Sequence, residues 1–201
     1  MGDIKKIIFI IIFYFLQINL FSQQFIIKKV FSYLENISYD FKNQDLLYVS
    51  IEQQKMFHIK ENKIIKTFII SSSKYGIGNK EDSNKTPIGL HEIKLKYGDE
   101  TPLNGVMKAR KYTGKIAKIF YDTTSSKTDD VTSRVLWLSG LESGKNKGYK
   151  IDSFKRYIYI HGTSEEGLLG APASHGCIRM KNKDVIELYE IIKIGTLVLI
   201  L

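Results

Sequence analysis

Apolar and polar residues alternate along the chain from residue 46 onward, which is the pattern of half-buried β-strands. Residues 47–52 alternate strictly, and the apolar runs 56–59 and 64–70 follow after short polar turns. Strands joined by such tight turns reverse direction and pair in antiparallel fashion. The first part of the domain is therefore predicted to open an antiparallel sheet.

Further apolar segments alternate with polar, glycine-rich stretches. Segment 88–95 is a shorter apolar run, whereas 135–138 and 157–160 are nearly continuous and suit central strands that are covered on both faces. The stretches between them are predicted to be surface loops, at 71–85, 96–114 and 122–133. For the last loop, a flap over a functional site is the alternative to a plain surface loop.

The C-terminal region has the clearest helical pattern. Asn182 is predicted to cap a helix in which four apolar residues recur at helical spacing, namely Val185, Leu188, Tyr189 and Ile192. Gly195 is predicted to end this helix before a last strand at 197–201. One helix among about eight strands predicts a mainly β fold class, a compact, mixed or antiparallel, β-sandwich-like domain with about one C-terminal helix.

The N-terminal residues have the order of a secretory signal. Lys5 and Lys6 precede an apolar run at 7–16, and polar residues follow it. The run is short for a membrane-spanning helix, although neighbouring apolar residues extend it far enough for an uncleaved anchor. We therefore expect a signal peptide or membrane anchor at 1–22, a linker at 23–45 and one exported domain at 46–201.

The composition is that of a folded protein with a basic surface. The 201 residues provide one domain with a sizeable core, and 43% hydrophobic residues exclude an intrinsically disordered chain. A net charge of +9 suits an anionic partner such as cell-wall material or a membrane surface. The lysines form no dense basic stripe, so we expect no nucleic-acid binding, and no obligate protein partner is evident.

Cys177 is the one cysteine of the sequence. An exported chain with a single thiol cannot form an internal disulfide. A lone cysteine is often an inert core residue, but this one follows Ser174, His175 and Gly176. A thiol with an ordinary pKa of about 8.5 is mostly protonated at neutral pH and needs a base or cation beside it to react. The neighbours of Cys177 therefore indicate a nucleophile.

Two histidines are available as the base. His161 follows an apolar strand, and His175 lies two residues before Cys177, so an extended backbone places His175 and Cys177 on one face. Gly176 between them lets the backbone approach a substrate closely, as main-chain amides that bind an oxyanion require. Arg179 is suited to bidentate pairing with a carboxylate. Spacing alone does not decide which histidine is the base.

These residues match a family signature. His161, a short variable connection, Ser174-His175-Gly176-Cys177, an apolar residue and Arg179 together resemble the L,D-transpeptidase catalytic domain, the YkuD-like family of cell-wall cross-linking enzymes. The element Thr86-Pro87-Ile88-Gly89 is similar to a Thr-Pro-x-Gly element upstream of the family's site. The resemblance extends over residues 46–201.

The resemblance implies a mainly β peptidoglycan L,D-transpeptidase of the periplasm or cell envelope, with stem peptides as its partners. Cys177 would attack the amide that precedes D-Ala in a tetrapeptide stem, form a thioester and release D-Ala. His161 would activate the thiol and then protonate the leaving amine. An acceptor amine on a neighbouring stem would resolve the thioester and form a cross-link.

The remaining site residues receive roles in the same scheme. The backbone amides of Gly176 and Cys177 are expected to bind the oxyanion, and His175 to position that site. Ser174 and Arg179 are expected to bind substrate, with Arg179 at a substrate carboxylate. No metal and no cofactor is expected.

Alternatives stay open on the sequence alone. Water as acceptor would give an L,D-carboxypeptidase that trims stems, and a lipoprotein lysine would give a lipoprotein-to-peptidoglycan ligase. An inactive wall-binding module is the non-enzyme alternative. His161, His175 and Cys177 are also suitable zinc donors, and a catalytic zinc needs three.

Overall fold

The computed structural model describes residues 6, 21, 23–41, 45–126 and 128–201. Within them, α1 covers residues 23–36. Ten strands follow, with a second helix before the last: β1 Leu46–Ser50, β2 Lys55–Lys60, β3 Lys63–Ser71, β4 Gly89–Tyr97, β5 Gly105–Lys108, β6 Lys111–Ile116, β7 Val131–Gly140, β8 Tyr159–Thr163, β9 Ile178–Met180, α2 Asn182–Ile191 and β10 Leu197–Ile200.

The strands form one mixed sheet in the order β4-β10-β1-β2-β3-β9-β8-β7-β5-β6, and β4 also pairs with β7. This extra pairing closes eight strands into a circuit and leaves β5 and β6 attached to β7. Neighbours are antiparallel except for β1 with β10 and β8 with β9. The prediction of a mainly β, mixed fold with a C-terminal helix is confirmed.

One face of the sheet carries the main hydrophobic core. Side chains from β1, β2, β3, β4, β7, β8, β9 and β10 meet there, and α2 packs onto them through Val185, Leu188 and Tyr189. These three positions recur at helical spacing, so one side of α2 is apolar and buried. The opposite face of β7, β8 and β9 is left for other groups, among them the residues of the candidate site.

The start of α2 differs from the prediction. The N-cap position is Lys181, and Asn182 is the first helical residue. The carboxylate of Glu166 accepts a hydrogen bond from the Asn182 amide at 2.8 Å, so a free helical N–H is satisfied by a residue outside the helix. The Asn182 side chain is buried, and its oxygen accepts hydrogen bonds from the hydroxyls of Thr132 and Ser133 at 2.6 Å. Asn182 therefore ties α2 to β7 rather than capping the helix.

The end of α2 differs as well. The helix ends at Ile191, with Ile192 as its C-cap residue. Gly195 lies in the turn before β10, where its φ of +89° is one that glycine adopts without steric cost. Gly195 therefore shapes the entry to the last strand and does not terminate the helix.

Helix α1 lies inside the stretch predicted to be a linker. Ile26, Val30 and Leu34 recur at helical spacing and are buried against β1, β2, β4 and β10. Tyr33 donates a hydrogen bond to Glu142 at 2.7 Å. The linker prediction is wrong for residues 23–36, because their apolar side chains cover a sheet face that would otherwise be open to water.

The export segment predicted at 1–22 lies outside the described residues except for Lys6 and Phe21. In the part of the chain that the structure describes, no helix has the length and hydropathy to cross a membrane.

Two predicted loops contain strands. The stretch 96–114 includes β5 and most of β6, and the stretch 122–133 includes the start of β7. The side chains of β6 are all exposed, so its sequence has no apolar alternation. Thr132 and Ser133 are polar yet buried, because Asn182 satisfies their hydroxyls. Apolar periodicity alone misses strands of both kinds.

We predict that Leu34→Ala lowers the free energy of unfolding by about 2–5 kcal/mol, since it removes a buried side chain and leaves a cavity. Phe25→Ala is the matched control on the same helix, because Phe25 is 64% exposed, and it should change stability by less than about 0.5 kcal/mol. Urea unfolding measures both. Equal effects of the two substitutions would contradict the packing of α1 onto the domain.

Candidate active site

The parallel pair of β8 and β9 brings the candidate nucleophile and base to one face of the sheet. His161 pairs in register with Arg179, and the flanking pair Ile160 and Ile178 points into the core. Because side chains alternate along a strand, His161 and Arg179 lie on the opposite face from that core. Cys177 directly precedes β9, two residues before Arg179, and is therefore brought to the same face.

The thiol of Cys177 lies against the backbone that leads into β8. The amide of Tyr159 donates a hydrogen bond to Sγ at 3.3 Å, and Sγ donates to the carbonyl of Tyr157 at 3.4 Å. Burial, together with a smaller contribution from the carboxylate of Asp129, raises the pKa of this thiol to about 11. The resting thiol is therefore protonated at neutral pH and needs a base at the moment of attack.

His161 has the properties of that base. Its Nδ1 lies 2.7 Å from the carbonyl oxygen of Gly162. A carbonyl only accepts hydrogen bonds, so Nδ1 carries the proton and Nε2 keeps a free lone pair. Burial lowers the pKa of His161 to about 4, so the imidazole is neutral at physiological pH. The structure thus holds a neutral imidazole in one tautomer on the face of the sheet that also receives Cys177.

The loop 174–177 is held by its own first residue. The hydroxyl of Ser174 donates to the carbonyl of Cys177 at 2.6 Å and accepts the amide of Gly176 at 3.2 Å. Gly176 has a φ of +126°, a conformation that residues with a Cβ rarely adopt. Ser174 is buried and its two hydrogen bonds shape the loop, while the substrate-binding role predicted for it stays a prediction. The Gly176 amide, predicted to bind an oxyanion, is occupied by Ser174 in this conformation.

His175 lies at the surface of the site. Its side chain is 43% exposed, and its Nδ1 lies 2.6 Å from a carboxylate oxygen of Asp129. The ring of Tyr75 packs beside it at a centroid distance of 5.8 Å. His175 is therefore oriented by a carboxylate at the entrance, whereas His161 is buried.

Arg179 is buried rather than available to substrate. Its side chain is 1% exposed, its Nη1 donates to Glu165 at 2.6 Å, and its Nη2 donates to Asp129. A guanidinium paired with two carboxylates inside the protein has no free fork for a substrate carboxylate. In this structure Arg179 thus directs no donors toward a substrate, so its substrate-binding role stays a prediction that the geometry does not favour. Arg179 instead positions Asp129, which in turn holds His175.

Glu165 extends the same network to the connection before β7. Its carboxylate also accepts hydrogen bonds from the Ser126 amide and, at 3.1 Å, from the Ser125 hydroxyl. Ser125 and Ser126 are thus held by Glu165, and Asp129 is held by Arg179.

Arg156 fixes the other side of the site. Its guanidinium donates to the carbonyls of Gly78 at 3.1 Å and Lys85 at 2.7 Å. A Cβ atom on Gly176 would lie 3.4 Å from the carbonyl oxygen of Lys85. The positive charge of Arg156 also lowers the pKa of Cys177, although burial outweighs it.

Several of these groups have no signal in the sequence. Asp129, Glu165 and Arg156 are separated from the motif by stretches of different length, and charged residues are common in surface loops. Among the described residues, no group of three His, Cys, Asp or Glu side chains is placed to hold a metal ion. The network around Cys177 is built from ion pairs and backbone hydrogen bonds.

Comparison with known proteins identifies the domain. A family model of the L,D-transpeptidase catalytic domain, YkuD, matches residues 44–200. YkuD of Bacillus subtilis (strain 168), provisionally assigned as an L,D-transpeptidase, is 48% identical over 52 residues, which cover 26% of this chain and 32% of that protein. YqjB of the same organism, with the same provisional assignment, is 51% identical over 45 residues, covering 22% and 26%. The matched segments thus span about a third or less of these relatives.

Solved structures of L,D-transpeptidases also resemble this chain, at low sequence identity. An L,D-transpeptidase from Mycobacterium smegmatis is 17% identical, with 79% of this chain and 58% of that chain covered and a TM-score of 0.48. L,D-transpeptidase 3 from Mycobacterium tuberculosis, solved in complex with a faropenem-derived adduct, is 16% identical, with 78% and 60% covered and a TM-score of 0.48.

We predict that Arg179→Met lowers the free energy of unfolding by about 3–5 kcal/mol, because it leaves the buried carboxylate of Glu165 without its cation. Urea unfolding at pH 7 measures the loss. The double variant Arg179→Met/Glu165→Gln should recover part of it, since the amide keeps an acceptor for Ser126 and carries no charge. A loss below about 1 kcal/mol in the single variant would contradict this account.

We also predict that the protein loses stability as the pH falls from about 6.5 to about 4. Burial lowers the pKa of both His91 and His161 to about 4 in the folded state, so the unfolded chain binds protons first in this window. Each histidine contributes on the order of 3 kcal/mol that is present above pH 6.5 and lost toward pH 4. Urea unfolding across this range measures the slope. His161→Gln should make the pH dependence of the free energy of unfolding shallower. Parallel curves for variant and wild type would refute the lowered pKa of His161.

Proposed function

The chain belongs to the YkuD family of L,D-transpeptidase catalytic domains, and from this premise we propose that it cross-links peptidoglycan through a thioester on Cys177. The observation that carries the proposal is the arrangement of the two reacting side chains. His161 is held neutral with Nε2 free, and Cys177 is a protonated thiol brought to the same face of the sheet. An acyl transfer needs such a pair of nucleophile and base.

The first half-reaction releases D-Ala. Nε2 of His161 takes the thiol proton as Sγ of Cys177 attacks the carbonyl carbon between the third stem residue and D-Ala. The C–N bond then breaks, the imidazolium returns its proton to the leaving D-Ala nitrogen, and a thioester remains on Cys177. The thiol has a pKa of about 11 and the imidazole a pKa of about 4, so a resting ion pair of the two is unfavourable and proton transfer is coupled to attack.

The second half-reaction forms the cross-link. The amine of a neighbouring stem attacks the thioester carbonyl, and His161 accepts a proton from that amine. The C–S bond then breaks, and the imidazolium gives this proton to Sγ, which regenerates the thiol and the neutral imidazole. The backbone amide of Cys177, at the turn that Gly176 allows, is the oxyanion donor in this scheme. His175, held by Asp129 at the entrance, faces the incoming substrate.

We further propose that the domain works in the cell envelope. Lys5 and Lys6 ahead of the apolar run 7–16 support export, and a net charge of +9 suits an anionic wall or membrane surface. Cell fractionation tests this with the full chain and with a chain that lacks residues 1–22. Recovery of both proteins in the same compartment would refute the proposed role of the N-terminal segment.

We predict that incubation with a tetrapeptide stem gives a covalent adduct on Cys177, seen by intact mass and peptide mapping. His161→Gln should lower the rate of adduct formation by about 10²–10⁴-fold, because the general base is lost. Cys177→Ala should give no adduct while remaining folded by circular dichroism.

The products separate the outcomes. Cross-linked dimers and free D-Ala support transpeptidation, whereas tripeptide without dimers indicates transfer to water. Imipenem, a β-lactam that can acylate a nucleophile, is a parallel probe of the thiol. A folded wild-type protein that gives no adduct with either compound rules out the thioester mechanism.

A further inference from the structure

The chain has four arginines, and three of them donate their hydrogen bonds to carboxylates or backbone carbonyls of the protein itself. Arg179 pairs with two carboxylates, and Arg156 donates to backbone carbonyls. Arg134 is buried and donates to the carbonyls of Thr101 and Ser133. The fourth, Arg110, contacts aromatic side chains instead.

Arg110 lies over an aromatic surface. Its guanidinium is 4.7 Å from the centre of the Trp137 ring and 5.7 Å from that of Tyr157, and its Nη1 donates to the hydroxyl of Tyr159 at 3.2 Å. In the part of the chain that the structure describes, it has no carboxylate partner. Asp99 and Glu100 line a surface cavity with it, yet neither is paired with it, and Asp99 instead accepts the hydroxyl of Tyr189. Arg110 therefore keeps donors free for a ligand, and stacking fixes the orientation of its plane.

The guanidinium of Arg110 and the thiol of Cys177 both contact Tyr157 and Tyr159. Tyr159, which accepts the hydrogen bond of Arg110, donates its own amide to Sγ of Cys177. Tyr157, which lies beneath Arg110, accepts the thiol through its carbonyl. Tyr159 and His161 are two residues apart on β8 and share a face. A peptide that reaches Cys177 across this face meets Arg110.

The backbone at Arg110 is strained. Ala109 and Arg110 form the two-residue turn between β5 and β6, with φ values of +48° and +67°. Such a turn favours glycine or asparagine, because a residue with a larger side chain is disfavoured in the left-handed region. The local geometry of this turn therefore does not explain an arginine at this position, whereas the contacts of its side chain give it an orientation.

We propose that Arg110 binds a carboxylate of the peptide that acylates Cys177. The proposal rests on the proposed function and adds a recognition element to it. It assigns to Arg110 the task that the sequence suggested for Arg179, at a site where the guanidinium is accessible and unpaired.

Binding measurements in a Cys177→Ala background test the proposal without any chemistry. The probes are the tetrapeptide stem with free carboxylates, the same peptide amidated at its C-terminus, and the same peptide amidated at its internal carboxylates. Calorimetry should show tighter binding of the free peptide by about tenfold over one of the amidated forms, which identifies the carboxylate. The double variant Cys177→Ala/Arg110→Asn should bind the free and the amidated peptides equally well.

The turn offers a matched control. Asparagine and glycine adopt a positive φ more readily than arginine, so Arg110→Asn and Arg110→Gly should stay folded with melting temperatures near that of the parent. Ala109→Gly relaxes the same turn and keeps the guanidinium, so it should keep the preference for the free peptide. If Arg110→Asn discriminates between the peptides as the parent does, the proposal is overturned.

Acylation of the protein with Cys177 intact distinguishes this proposal from the proposed function. An Arg110-dependent binding preference without a Cys177 adduct would uphold the carboxylate site and refute the thioester mechanism. An adduct that forms equally well on free and amidated peptides would uphold the mechanism and refute the carboxylate site.

Discussion

The site depends on the parallel pairing of β8 with β9. Parallel neighbours present paired residues on the same face, so the register His161 with Arg179 fixes which side chains can meet. Ile160 and Ile178 then enter the core, and a slip by one residue would exchange the two sets. Burial of the core side chains therefore enforces the register that brings the base and the nucleophile to one face.

A buried arginine organises the surroundings of that pair. Arg179 is held between Glu165 and Asp129, and through Asp129 it orients the ring of His175. Removing the charges of Arg179 and Glu165 from water is costly, and their ion pair, together with the partly exposed Asp129 and the added hydrogen bonds, offsets this cost. The same network keeps Arg179 from substrate, so a residue next to the nucleophile in sequence serves as support. Stability of the loop and geometry of the entrance are thus coupled through one guanidinium.

Much of the chemistry was readable from the sequence because it is local. Ser174 to Cys177 are consecutive, and the left-handed conformation of Gly176 agrees with the flexibility expected of that glycine. The hairpins at the start of the sheet follow from alternation and tight turns. The helical period of Val185, Leu188 and Tyr189 also predicted α2, although its ends are set by Glu166 and by the turn at Gly195. Local periodicity identifies an element, whereas its boundaries depend on partners from elsewhere in the chain.

The sequence by itself determined a mainly β domain and a thiol flanked by histidines, because alternation and motif spacing are properties of neighbouring residues. Tertiary structure decided that His161 is the buried, neutral histidine and that His175 is the exposed one, since burial and the Gly162 and Asp129 acceptors are set by packing. It also decided that residues 23–36 belong to the domain and that Arg110, not Arg179, has a free guanidinium. Which charges are buried together depends on contacts between segments far apart in the chain, and no local pattern encodes those contacts.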